Sequence, residues 1–74
     1  MGDVEVPNVY VFPNPVSNTI HVSGVDEEDT DLIVFDMNGK CLLYEKGNEL
    51  DVTDLNKGTY ILFVDNLRVK FIKQ

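Results

Sequence analysis

The chain has one cysteine, one histidine, no tryptophan, and only six basic residues against thirteen acidic ones. Each shortage excludes something. A lone cysteine, Cys41, cannot form an intrachain disulfide. With His21 as the lone histidine, there is no Cys/His cluster to hold zinc. A chain of 74 residues buries only roughly 60–65% of the surface its unfolded form exposes, so its core must come from aliphatic and aromatic side chains alone. The net charge of −7 denies it the basic face that displaces counterions from phosphates, which argues against a nucleic-acid partner. It also opposes attachment to an anionic membrane. No apolar run approaches the roughly 20 residues of a membrane-spanning helix, and no leader-peptide pattern opens the chain. Met1-Gly2 reads as an added start, so a piece of a longer protein is expected.

What is present is strand patterning broken by turns. Residues 1–7 read as a disordered lead-in or linker, with Asp3 and Glu5 alternating with Val4 and Val6. A short strand from Asn8 to Phe12 is stopped by Pro13-Asn14-Pro15, where two prolines fix φ and remove two backbone donors. Thr19 to Ser23 alternates, with Ile20 and Val22 facing a core and His21 facing solvent. Gly24 to Asp31 carries Asp26, Glu27, Glu28, Asp29 and Asp31. The calcium-loop spacing is missing, so a solvated acidic loop is expected rather than a metal site. Leu32 to Met37 is apolar on both parities, the pattern of a central strand covered on both sides. Asn38-Gly39 predicts a type I′ hairpin turn. Lys40 to Tyr44 returns, with Cys41 packing as a small apolar side chain.

Glu49 to Val52 points Leu50 and Val52 inward. Thr53 to Gly58 reads as a connection with a 3₁₀ turn and Leu55 plugging the core. Tyr60, Leu62 and Val64 share one face of the next strand, Ile61 and Phe63 the other. After a tight turn at Asp65-Asn66, Val69 and Phe71 share a face and Arg68, Lys70 and Ile72 the opposite one. Lys73 has the parity of Phe71 but is expected to reach solvent. About seven short strands, no helix, and turn signals every 8–12 residues or so specify an all-β fold: a compact immunoglobulin-like β-sandwich, mainly antiparallel. The structural alternative is a small barrel.

No catalytic constellation accompanies these strands. A nucleophile needs an adjacent base, and His21 on a polar strand face with a packed Cys41 does not provide one. The carboxylates cluster in loops, and no phosphate-binding glycine pattern occurs. No enzyme activity, cofactor or metal is expected.

The turns do occur in a distinctive order. Val11-Phe12-Pro13-Asn14-Pro15 is followed by Ser17-Asn18, then Phe35-Asp36-Met37-Asn38-Gly39-Lys40, Leu50-Asp51-Val52, Leu55-Asn56-Lys57-Gly58-Thr59-Tyr60-Ile61, and Val69-Lys70-Phe71-Ile72-Lys73-Gln74. This order resembles the C-terminal sorting domain, type A, of the type IX (Por) secretion system. That family typically shows tyrosine-proline-asparagine-proline, then aspartate-x-x-glycine with arginine or lysine, then leucine-x-x-glycine-x-tyrosine, and ends on a lysine-bearing strand. Phe12 stands where tyrosine is commoner, and the turn at Asp65-Asn66 makes the last hairpin shorter than usual. The resemblance covers Val9 to Gln74 and implies motif roles for Pro13, Asn14, Pro15, Asp36, Asn38, Gly39, Leu55, Gly58 and Tyr60.

The resemblance further implies that residues 8–74 form a non-catalytic sorting domain that directs a larger N-terminal cargo through the periplasm and across the outer membrane. The cargo would end at the cell surface or in the medium. The implied partners are the translocon or its shuttle and a sortase-like peptidase. The implied recognition strand is Arg68, Val69, Lys70, Phe71, Ile72, Lys73 and Gln74, offering an exposed edge to a partner. The alternative is an accessory immunoglobulin-like module that binds carbohydrate or protein, or spaces domains. Its candidate sugar platforms, Tyr10, Tyr44 and Phe63, are expected to pack in strands instead. Open strand edges also allow an edge-strand dimer.

Overall fold

Strands with one apolar face need a second layer to cover it. The structure is a computed structural model that describes residues 9–74; the lead-in expected at 1–7 lies outside the described residues. The strands are β1 (Tyr10–Phe12), β2 (Thr19–Ser23), β3 (Asp31–Phe35), β4 (Cys41–Lys46), β5 (Glu49–Asp51), β6 (Gly58–Val64) and β7 (Leu67–Lys73). One sheet has the order β1-β2-β5 and the other β4-β3-β6-β7, with every named pair antiparallel. This is the expected all-β sandwich. Its four-stranded layer follows the C′-C-F-G order of immunoglobulin-like folds.

The alternation read from β2, β5 and β6 sets the core. Ile20, Val22 and Leu50 face Leu32, Val34, Tyr60, Leu62, Val64 and Phe71, all buried. Val16 and Val52 join them from the segments just after β1 and β5. Burying one such side chain stabilises a fold by about 1.5–3 kcal/mol relative to leaving it exposed. Leu55 packs partly buried against this cluster, as expected. Its segment makes the one turn expected, closed by the i→i+3 bond from the Leu55 N–H to the Val52 carbonyl at 3.0 Å.

Local hydrogen bonds explain the turns. Asp36 Oδ1 accepts from the amides of Asn38 and Lys40, both at 2.9 Å, and the Asp36 carbonyl accepts from Gly39 at 3.0 Å. The β3–β4 turn is not the expected type I′, which needs positive φ at both central residues. Gly39 has φ +89°, while Asn38 is not among the positive-φ residues. Asp36 supplies the turn's order instead, and glycine is required only at Gly39. A bulge in β4 then skips Leu42, since Val34 pairs with Leu43 but Phe35 pairs with Cys41. That skip reverses parity and exposes Cys41, which does not pack as expected.

The Leu55-to-Tyr60 corner is held by the Tyr60 hydroxyl, which donates to the Asn56 carbonyl at 2.6 Å. This is the tyrosine corner of immunoglobulin-like sandwiches, at the start of the strand that occupies the F position. Tyr60→Phe keeps the ring but leaves a part-buried carbonyl without its donor. The expected loss is about 1–2 kcal/mol, read as a lower midpoint in urea denaturation. An unchanged midpoint would show that the corner is held by packing alone.

The acidic loop works as a turn. Asp26 Oδ1 accepts from the amides of Glu28 at 2.8 Å and Asp29 at 3.1 Å, and buried Thr30 donates its hydroxyl to the Asp26 carbonyl at 2.7 Å. Beyond it, Asp31 accepts from the Tyr44 hydroxyl at 2.9 Å and lies 3.2 Å from Lys46 Nζ. The Tyr44 hydrogen bond first, and Lys46 second, hold the Asp31 carboxyl below its ordinary pKa. A depressed folded-state pKa contributes stability above the unfolded value, and that contribution fades as pH falls through the folded one. Carbon NMR should therefore show Asp31 titrating below the ordinary value of about 3.9. Tyr44→Phe should move the titration upward, and an unmoved Asp31 would remove the hydroxyl as the cause.

Candidate functional site: the last strand and its strap

β7 separates three kinds of group. Leu67, Val69, Phe71 and Lys73 point into the sandwich, with Phe71 fully buried and stacked on Tyr60 at a ring separation of 5.6 Å. Lys73 corrects one expectation: it is only 8% exposed. Its stem is held inside, and its ammonium donates to the Gln74 main-chain oxygen at 3.2 Å. Arg68, Lys70 and Ile72 are exposed on the opposite side. The third kind of group is the outer backbone edge, because β7 pairs only with β6 among the named strands.

That edge is only half open. The segment from Asn14 to Val16 runs along its C-terminal part. Val16 N–H donates to the Ile72 carbonyl at 2.8 Å, and Gln74 N–H donates to the Val16 carbonyl at 2.9 Å, a parallel bridge. Asn14 fills the next position: its Oδ1 accepts from Ile72 N–H at 3.0 Å, and its Nδ2 donates to the Lys70 carbonyl at 3.5 Å. Pro13 and Pro15 flank Asn14 and have no N–H to compete with it. The exposed edge expected of the last strand is therefore open only in part. Ile72 and Gln74 are strapped, and in the register this sets, the outward backbone of Arg68 and the Lys70 N–H remain open.

The motif residues converge on this strand from three sides. Pro13, Asn14 and Pro15 meet its outer edge. Gly58 pairs with Lys73 and Tyr60 with Phe71 across the inner edge. Asp36 and Gly39 line the same surface recess as Arg68. Asn38 and Leu55 do not touch β7 in any hydrogen bond or strand pair; they serve the turns they stand in. The family model described as "Secretion system C-terminal sorting domain" matches residues 10–74, which include all of these positions. The chain belongs to the type IX secretion C-terminal sorting domain family. No curated protein and no solved structure matches it.

The family is one of sorting signals for export, and the turn runs singled out from the sequence hold the sandwich together. The proline-asparagine-proline run straps the last strand, the aspartate-x-x-glycine-lysine run builds the β3–β4 turn, and the leucine-x-x-glycine-x-tyrosine run is the tyrosine corner. Among the described residues no group of three or more His, Cys, Asp or Glu side chains gathers as a metal site. Sequence reasoning missed Val16, whose backbone and fully buried side chain both serve the strap. The one available signal was an isolated aliphatic residue in a turn of otherwise polar and proline residues.

Proposed function

We propose that this sorting domain, residues 8–74, directs a larger N-terminal cargo across the outer membrane by the type IX system and is read largely through β7. The cargo's destination is the cell surface or the medium, and the partners are the translocon or its shuttle and a sortase-like peptidase. One observation carries the reading: β7 is the edge of its sheet, and its outward side chains Arg68, Lys70 and Ile72 stand exposed in a row. Two of the three are cations in a chain of net charge −7, so they suit an acidic receptor surface.

The test fuses the domain to a periplasmic reporter in a type IX-competent cell. Deleting Arg68–Gln74 should retain the reporter, but that deletion also removes Phe71 from the core. The sharper arm is the triple substitution Arg68→Glu, Lys70→Glu, Ile72→Ser, which leaves every buried residue in place. Intact domain should export the reporter, and the triple variant should retain most of it in the periplasm with an unchanged melting curve. Equal export by the two would reject reading through β7. Retention of both would reject the sorting role in that cell.

A second reading, an accessory carbohydrate-binding module, is favoured by one observation. Tyr10 and Tyr44 are 63% and 55% exposed rather than packed, and Phe12, on the same side of β1 as Tyr10, stacks on His21 at 5.6 Å. A saturable hit on a glycan array that is lost in Tyr10→Ala would establish it; an empty array would dismiss it.

A further inference from the structure

An antiparallel sheet that faces water on its outer side usually alternates apolar-in with polar-out. The central strands of the four-stranded sheet do not. Ile33 and Phe35 of β3, and Ile61 and Phe63 of β6, lie on the outer side, partly exposed. The register sets them in two rows. One runs Tyr44, Ile33, Phe63, Arg68 across the sheet; the next runs Cys41, Phe35, Ile61, Lys70. Phe35 and Phe63 meet edge to face at 5.4 Å. Beside them a shallow recess of about 310 Å³ is lined by Met37 and Arg68 as well as by these rings. The expectation that β3 is covered on both sides is therefore corrected. One side meets the three-stranded sheet, and nothing among the described residues covers the other. Apolar side chains adjoining on an uncovered sheet face are available to a partner.

Charge selects the occupant. Each apolar row ends on a cation of β7, and the ion pairs among the described residues join Lys46 to Asp29 and Asp31, neither including Arg68 or Lys70. The nearest carboxylate lining the recess, Asp36, spends Oδ1 on the amides of Asn38 and Lys40. A second copy docked by this same face would bring its own Arg68 and Lys70 to the interface rather than carboxylates, and a broad anionic bilayer would also meet the acidic remainder of a chain of net charge −7. We propose that the outer face of the four-stranded sheet docks a protein segment that presents apolar side chains flanked by carboxylates. The apolar side chains cover Ile33, Phe35, Ile61 and Phe63, and the carboxylates meet Arg68 and Lys70. The export reading bears only on where such a segment is met. Docking itself is measured without any export step, so the two can fail separately.

The nitrogen-15-labelled domain is titrated with two synthetic peptides of one apolar frame, Glu-Val-Glu-Phe-Glu-Val and Lys-Val-Lys-Phe-Lys-Val. Amides of Ile33, Phe35, Ile61, Phe63, Arg68 and Lys70 should shift with the glutamate peptide and respond about tenfold more weakly to the lysine peptide. The pair Arg68→Glu, Lys70→Glu should reverse that preference while its spectrum stays dispersed as in the parent. No shift at these amides with either peptide would overturn the proposal, as would a response indifferent to peptide charge. Shifts of the same amides with domain concentration alone would assign the face to a second copy, and shifts with phosphatidylglycerol vesicles but neither peptide would assign it to lipid; either result overturns the proposal.

Discussion

Phe71→Ala should cost about 3–5 kcal/mol, the range for emptying a buried phenylalanine site. The chain has 74 residues, for which the whole folding stability is expected to be about 4–11 kcal/mol. Phe71 is fully buried and its ring lies 5.6 Å from that of Tyr60, so little nearby can collapse into the space. The urea midpoint of Phe71→Ala should therefore fall by a large fraction of the parent value. Ile72→Ala is the control one residue away. Ile72 is 47% exposed, and its substitution should stay within about 0.5 kcal/mol. Urea denaturation of both decides the matter; similar midpoints would mean that β7 is not part of the cooperative core. The consequence for function is direct. If Phe71 holds the fold, loss of export after deleting the last strand reports unfolding as much as lost recognition. Any signal in β7 then has to be sought in Arg68, Lys70 and Ile72.

Where a strand has one dry and one wet face, its residues could be read in advance. Ile20 and Val22 in β2 and Leu50 in β5 point as their alternation implies, because a shift of one residue would turn the whole set outward. β3 resisted such a reading. Residues apolar on both parities look the same whether the second face is covered by protein or left for a partner. Cys41 was misplaced for a different reason: the bulge at Leu42 inserts a residue without a turn signal, and parity beyond it inverts. Lys73 had the right parity, but its charge suggested escape to solvent, whereas the long stem can stay inside with the ammonium satisfied at one main-chain oxygen.

The candidate site was legible in its parts and not in its assembly. Asn14 could be read as a turn residue between prolines. Its two bonds to β7 span 56 and 58 residues of sequence, and no local pattern announces a partner that far away. The same holds for Tyr60: a tyrosine two residues after Gly58 suggests a strand start, while the hydroxyl's bond to Asn56 becomes visible only once the corner is built.

Val16→Asp should release the strap. Val16 has no exposed surface, and a carboxylate there would sit among aliphatic side chains without a partner. Leaving a buried charge uncompensated costs about 3–5 kcal/mol. The chain has a less costly response than global unfolding, which is to swing the segment from Asn14 to Val16 off the edge of β7. That gives up the bonds of Val16 to Ile72 and Gln74 and those of Asn14 to Ile72 and Lys70. Hydrogen exchange separates the two responses. Strap release should speed exchange at Ile72 and Gln74 while Val34 and Leu62 in the central strands stay protected; global unfolding should speed all four together. Release would also bare the whole outer edge of β7, and a bare edge pairs with other chains. Sedimentation of Val16→Asp should then show dimers growing with concentration, with the parent monomeric under the same conditions. If the Ile72 and Gln74 amides exchange no faster than in the parent, the strap does not guard that edge, and the half-open state of β7 must have another cause.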